Sequence, residues 1–162
     1  MAVLWLVLLI VFIFCFAALV VGAPYLPTLN TQVNAALDLV DLRKGQTLIE
    51  LGSGDGRVLI AAAKRGINSV GYEINPILVV VSYLITMRYR KQIKIVWGNY
   101  WKKQWPDADG VFVFLISRYM RKLDSYLSDY PHKPIKLVSF AFKIPDKKIS
   151  RSEDGVYLYQ YK

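Results

Sequence analysis

Apolar and polar positions fall into two regimes along this chain of 162 residues. From Ala2 to Ala23 there is no charged residue and no proline, and the first charged side chain is Asp38. At a rise of about 1.5 Å per residue such a run covers roughly 30 Å, the thickness of bilayer hydrocarbon, and it predicts one transmembrane helix. A helix that is apolar on every side is too large a burden for the core of so small a domain. A cleaved signal peptide fits less well: the run lacks a basic leader, is longer than an apolar core of about 7–15 residues, and would leave Pro24 just past the best small-residue cleavage site. Residues 1–23 are therefore read as an anchor and residues 24–162 as one folded domain.

Beyond the anchor, short apolar runs alternate with stretches of helical spacing. Val33, Leu37 and Val40 repeat at helical intervals across residues 30–42. Strands are expected at residues 47–51, 68–73, 93–97, 110–115 and 135–142, and crossover helices at 56–65, 76–90 and 117–130. Gly66 closes the first crossover helix, while Asn75-Pro76 supplies a cap and a helix-starting proline for the second. This order predicts an α/β fold, a Rossmann-like doubly wound and mostly parallel sheet with strand order 3-2-1-4-5. Only about a dozen residues join the fifth strand to Val156–Tyr161, which is marginal for a parallel crossover. The last strand is thus expected to return antiparallel as the sheet edge, with the usual sixth strand short or missing. Topology then places a ligand beyond the C-terminal ends of strands one and four, where the strand order reverses.

The residues at that point carry the chemistry. Glu50-Leu51-Gly52-Ser53-Gly54-Asp55-Gly56-Arg57 follows the apolar run Thr47-Leu48-Ile49, so a strand empties into a loop with glycine at alternate positions and then into a helix. Such a loop lets a ligand lie against bare backbone. A dinucleotide loop would place its third glycine where Arg57 stands, and no lysine followed by Ser or Thr closes a phosphate cradle. Glu50 would repel a phosphate, whereas it suits a ligand carrying an ammonium and a sulfonium. About twenty residues beyond the first glycine, Glu73 ends the second strand where α/β nucleoside sites place a carboxylate for the ribose hydroxyls.

Through Glu50, Gly52, Gly54, Gly56 and Glu73 the chain resembles the seven-β-strand S-adenosylmethionine-dependent methyltransferases. It is most similar to the membrane-anchored protein-lysine methyltransferases that modify the ATP synthase c-subunit and the adenine nucleotide translocase. That likeness lies in the N-terminal apolar segment, Pro24-Tyr25-Leu26-Pro27-Thr28, LGSGDGRV from Leu51 to Val58, GYEINP from Gly71 to Pro76, and Gly98-Asn99-Tyr100-Trp101. The resemblance implies S-adenosylmethionine as cofactor, held by Glu50, Gly52, Ser53, Gly54, Gly56, Glu73 and Asn99. Asn99 stands where an aspartate is common, and its amide oxygen would have to take the contact to the adenine amino group. Leu115-Ile116-Ser117-Arg118 follows the fourth strand in place of the Asn/Asp-Pro-Pro-Tyr of enzymes acting on adenine or glutamine amides.

Charge then narrows the partners. All 21 Lys and Arg residues lie C-terminal to the apolar run, which puts the folded domain on the cytoplasmic side of a single-pass arrangement. The formal net charge of +9 draws the domain to anionic headgroups, while no nucleic-acid module is recognised. One cysteine, Cys15, and one histidine, His132, exclude an internal disulfide and make a metal centre unexpected. The linker from Pro24 to Asn30 reaches at most roughly 25 Å, so a membrane protein or a membrane-proximal lysine is the favoured substrate, followed by a lipid or other small molecule. No general base is evident. Tyr25 and Thr28 are the candidates for orienting the substrate, and a non-catalytic S-adenosylmethionine-binding module is the alternative to an enzyme. Trp97, Tyr100 and Trp101 are expected in the core, and His132 at the surface.

Overall fold

A computed structural model describes Met1, residues 3–9 and residues 26–162. Residues 3–9 are helical and exposed. Most of the expected anchor, and Tyr25, lie outside the described residues; among those described, no helix is long and apolar enough to cross a membrane.

The elements follow the predicted alternation. Helix α1 (Asn30–Val40) precedes β1 (Thr47–Leu51), α2 (Arg57–Lys64), β2 (Asn68–Glu73), α3 (Pro76–Thr86), β3 (Ile93–Trp97), β4 (Gly110–Val113), α4 (Met120–Ser128), β5 (Ile135–Phe140), β6 (Arg151–Glu153) and β7 (Val156–Tyr161). Single 3-10 turns at Met87–Tyr89, Tyr100–Lys102 and Ser117–Tyr119 fill three of the connections. Helix α1 stops two residues before the expected boundary because Asp41 takes a left-handed φ of 46°, with its N–H bonded to the Leu37 carbonyl. Asn75 caps α3 as expected, accepting from the N–H of Ile77 at 2.9 Å and of Leu78 at 3.4 Å. That helix tightens at Met87, where the Thr86 hydroxyl donates back to the Ser82 carbonyl at 2.7 Å.

Strand order is β3-β2-β1-β4-β5-β7-β6. Strands β1 to β5 pair in parallel, and β7 returns antiparallel against β5, with Ile135 opposite Tyr161. The expected edge is corrected by one strand: β6 pairs outside β7 and is the true edge of the sheet. A two-residue turn joins them, with both Asp154 (φ 48°) and Gly155 (φ 75°) left-handed, the geometry favoured in tight hairpins. Arg151, Ser152 and Glu153 are all exposed, so no apolar alternation announces β6.

Alternate strand residues feed two cores. Leu48, Phe112, Val138 and Leu158 pack under α1 and α2, while Ile49, Leu51, Val111, Val113 and Leu137 pack on the other face under Met120, Leu123 and Leu127 of α4. Burial on both faces fixes β1 and β4 side by side, and their C-terminal ends hold the candidate site.

Candidate functional site

The order of the sheet reverses at β1, which pairs β2 on one side and β4 on the other. Out of its C-terminal end comes the glycine loop. Gly52, Gly54 and Gly56 all have positive φ, at 84°, 54° and 83°, a conformation costly to any residue with a Cβ. Hydrogen bonds pin the loop to β2: the N–H groups of Gly52 and Ser53 both donate to the Tyr72 carbonyl, at 2.8 and 2.9 Å. A Cβ on Gly52 would meet nothing within 4 Å, so that glycine borders open space. One on Gly56 would lie 2.6 Å from Ser82 Oγ, so that glycine lets α3 approach.

Glu73 closes the other side. Its Oε2 accepts from the Gly54 N–H at 2.9 Å, and its Oε1 from the N–H groups of Ile74 at 2.9 Å and Asn75 at 2.8 Å. Three of roughly four carboxylate acceptor positions are thereby used, leaving room for a further donor. The predicted partners in sequence are brought together in space: Glu73 and the glycine loop share a hydrogen bond. Gly98 adds a second tie, its N–H donating to the Glu73 carbonyl at 2.8 Å.

Glu50 is the anomaly. Its carboxyl is buried, and Oε2 has no hydrogen-bond partner. Burial, then the carboxylates of Asp55 and Glu73, push its pKa well above the ordinary 4.5, with Arg57 pulling against them. Arg57 holds Asp55, with Nη2 2.8 Å from Oδ2 and Nε 3.1 Å from Oδ1, and Nη1 donates to the Thr28 carbonyl at 3.1 Å. A buried carboxylate with an unsatisfied oxygen is costly unless a cation or donor completes it. The chemistry this invites is capture of a positively charged group.

The remaining candidates divide. Thr28 is buried and tied through its carbonyl to the glycine-loop arginine, so it does reach the site. Asn99 uses Oδ1 to cap the 3-10 turn after β3, accepting from the Trp101 N–H at 3.0 Å, which leaves one lone pair for any further donor. Trp97 corrects an expectation: it is 63% exposed, with Nε1 donating to the Ile74 carbonyl at 3.2 Å. Tyr100 and Trp101 are half-buried against the core, and burial raises the Tyr100 hydroxyl to about 12. His132 stays at the surface beside Asp107. Among the described residues no group of side chains could hold a metal.

Three contributors went unread in the sequence. Asp55 and Arg57 form the ion pair beside Glu50, and their spacing of two residues at a helix start was the available signal. Gly71 is the third: a Cβ there would lie 2.7 Å from the Ser53 Cβ and 2.6 Å from Leu59 Cδ1, so its absence seats the glycine loop on β2.

Comparison with known proteins agrees with this geometry. Residues 50–151 match the family model described as the ANTKMT methyltransferase domain. A Xenopus laevis lysine N-methyltransferase of the ATP synthase C-subunit is 31% identical over 142 residues, covering 84% of this chain and 62% of its own length. A protein-lysine N-methyltransferase of Saccharolobus islandicus is 30% identical over 148 residues, covering 84% of this chain and 92% of its own. The chain thus spans about three fifths of the first of these relatives and nearly all of the second. Among solved structures, an RNA methyltransferase of Salinibacter ruber in complex with S-adenosylhomocysteine superposes with a TM-score of 0.76 at 27% identity, covering 84% of this chain and 92% of that one.

Proposed function

From the premise that this chain belongs to the ANTKMT methyltransferase domain family, we propose that it is an S-adenosylmethionine-dependent protein-lysine N-methyltransferase working at a membrane. The observation that carries the reading is the buried Glu50 carboxylate, its Oε2 without a partner, beside a glycine loop that Glu73 fastens. S-adenosylmethionine fits that donor and acceptor set: it is cationic at its amino and sulfonium centres and carries ribose hydroxyls. When bound it supplies an electrophilic methyl group on positively charged sulfur.

Glu50 would supply negative charge toward the ammonium and sulfonium of the cofactor, and Glu73 would accept from the ribose at its remaining acceptor position. Gly52 and Gly54 would present bare backbone to the cofactor, Ser53 keeps its side chain turned toward Gly71, and the second lone pair of Asn99 Oδ1 would take the adenine amino group. Gly56 keeps α2 and α3 close behind the loop. An attacking lysine must first shed a proton, which at neutral pH costs about 4–5 kcal/mol from a reference pKa near 10.4. A partly dehydrated, cation-bearing site lowers that cost, and holding amine and methyl in line contributes the remainder. Thr28, tied to Arg57, and Tyr25 near it in sequence are the residues proposed to orient the incoming lysine.

Membrane anchoring belongs to the same proposal. It is supported by the uncharged stretch from Ala2 to Ala23 and by the confinement of every basic residue to the chain beyond it, which favours a cytoplasmic catalytic domain. A second reading, transfer to RNA, is favoured by the likeness to the Salinibacter ruber protein and by the charge of +9. Labelled methyl groups should pass from S-adenosylmethionine to a lysine of a membrane protein when the full chain meets isolated membranes, and digestion locates that lysine. Label appearing in RNA, or in nothing while the cofactor binds, would defeat the protein-lysine reading.

A further inference from the structure

Helix α3 is built inside out. Its buried positions are Ser82 and Thr86, packed against Gly56, whereas Ile77, Val80, Tyr83, Leu84 and Ile85 are exposed. Val80, Tyr83 and Leu84 leave 58%, 63% and 58% of their surface in water. Ile74 before the helix and Trp97 at the end of β3 are exposed too, and the hydrogen bond between them carries the apolar surface to the rim of the Glu73 loop. So many large apolar side chains on one helix mark an interaction surface, not ordinary scatter.

The surroundings of the patch select its partner. Between Glu73 and Asp107 there is no acidic residue, while Arg88, Arg90, Lys91, Lys94, Lys102 and Lys103 are all basic. An apolar helix face with Tyr and Trp on it and a cationic border matches an anionic lipid surface: the apolar side chains enter below the headgroups, the rings sit at headgroup level, and the cations meet phosphate. A second copy would bring its own cationic border against the first, at a net charge of +9 each. The uncharged run from Ala2 to Ala23 offers that border no counter-charge.

We propose that the exposed face of α3, with Ile74 and Trp97, is a membrane-docking surface seated in the interface of a bilayer rich in anionic phospholipid. It turns the rim of the Glu50–Glu73 site toward the lipid. This inference rests on the reading of a protein that works at a membrane, and it does not depend on catalysis.

The test uses the full chain in vesicles of phosphatidylcholine and phosphatidylserine. With Cys15→Ser removing the single native thiol, an environment-sensitive dye is attached at Val80→Cys or, on β6 at the opposite sheet edge, at Ser152→Cys. Spin-labelled lipid is expected to quench the dye at position 80 strongly and the dye at position 152 little. Reversing Arg88, Arg90 and Lys91 to Glu should lower the docked population, by about fivefold for each basic side chain lost from the surface. Equal quenching at both positions would overturn the proposal. So would a dye at position 80 that is shielded from water yet untouched by lipid quencher, because protein would then cover the face. Methyl transfer measured on the same vesicles separates the two readings: transfer with an unquenched dye removes the docking and keeps the enzyme, and quenching without transfer does the reverse.

Discussion

Replacing Glu50 by Gln should make the protein alone more stable and the same protein a worse binder. In the fold the Glu50 carboxylate is buried, Oε2 lacks a partner, and Asp55 and Glu73 add like charge while Arg57 is engaged with Asp55. Gln keeps a buried polar group there but removes the charge, and the extra cost of that uncompensated charge is about 1–3 kcal/mol. At roughly 2–4 °C per kcal/mol for a domain of this size, Glu50→Gln should raise the melting temperature by about 2–10 °C at neutral pH. The pH dependence has a definite direction. Because folding raises the pKa above 4.5, the folded state holds the proton more tightly than the unfolded chain, so the contribution of Glu50 to stability falls as pH climbs from 4.5 through its raised folded value. The advantage of Gln should therefore vanish below pH 4.5 and grow as pH rises. Binding moves the other way: loss of a charge-assisted contact of about 1.5–3 kcal/mol lowers S-adenosylmethionine affinity roughly 10- to 100-fold. Thermal unfolding across a pH series, with and without S-adenosylmethionine, reads both effects. A variant that melts lower than wild type, or binds equally well, would refute the assignment of Glu50.

Glu73 should behave oppositely, since its carboxylate already satisfies three backbone N–H groups. Glu73→Ala should lower both the melting temperature, by several °C, and cofactor affinity, by at least about tenfold, as followed by circular dichroism and calorimetry. Gly56→Ala places a methyl 2.6 Å from Ser82 Oγ at a φ of 83°. It should cost roughly 2–4 kcal/mol in denaturant unfolding, with partial recovery in the double variant carrying Ser82→Ala, because the backbone strain remains. Far from the site, Asp124 accepts from Lys147 Nζ at 2.6 Å and from the Tyr161 hydroxyl at 2.8 Å. Asp124→Ala should lose about 1–2 kcal/mol of stability and leave cofactor affinity unchanged by calorimetry.

Where apolar periodicity and glycine spacing determine the backbone, the sequence was enough. β1, β2 and β3 begin and end where expected, and the Gly52–Gly56 loop and Glu73 meet as their spacing implied. The short edge strand β6 escaped because Arg151-Ser152-Glu153 is exposed on both faces and pairs by backbone alone. Trp97 was misplaced because a large ring at a strand end is equally at home in a core or at an exposed rim, and only the position of Ile74 decides it. The Asp55–Arg57 pair depends on side-chain directions at a helix start, and Gly71 matters through a contact with Ser53 across two strands. The apolar residues of helix α3 would announce burial in a sequence, yet its polar pair Ser82 and Thr86 faces inward because Gly56 leaves no room for anything larger.

The most direct measurement is a crystal structure of the full chain with S-adenosylhomocysteine. The ribose should lie against Glu73, the amino-acid end should reach toward Glu50, and the glycine loop should run between them. Ligand bound elsewhere on the sheet, or bound with Glu50 still buried and unpartnered, would contradict the account.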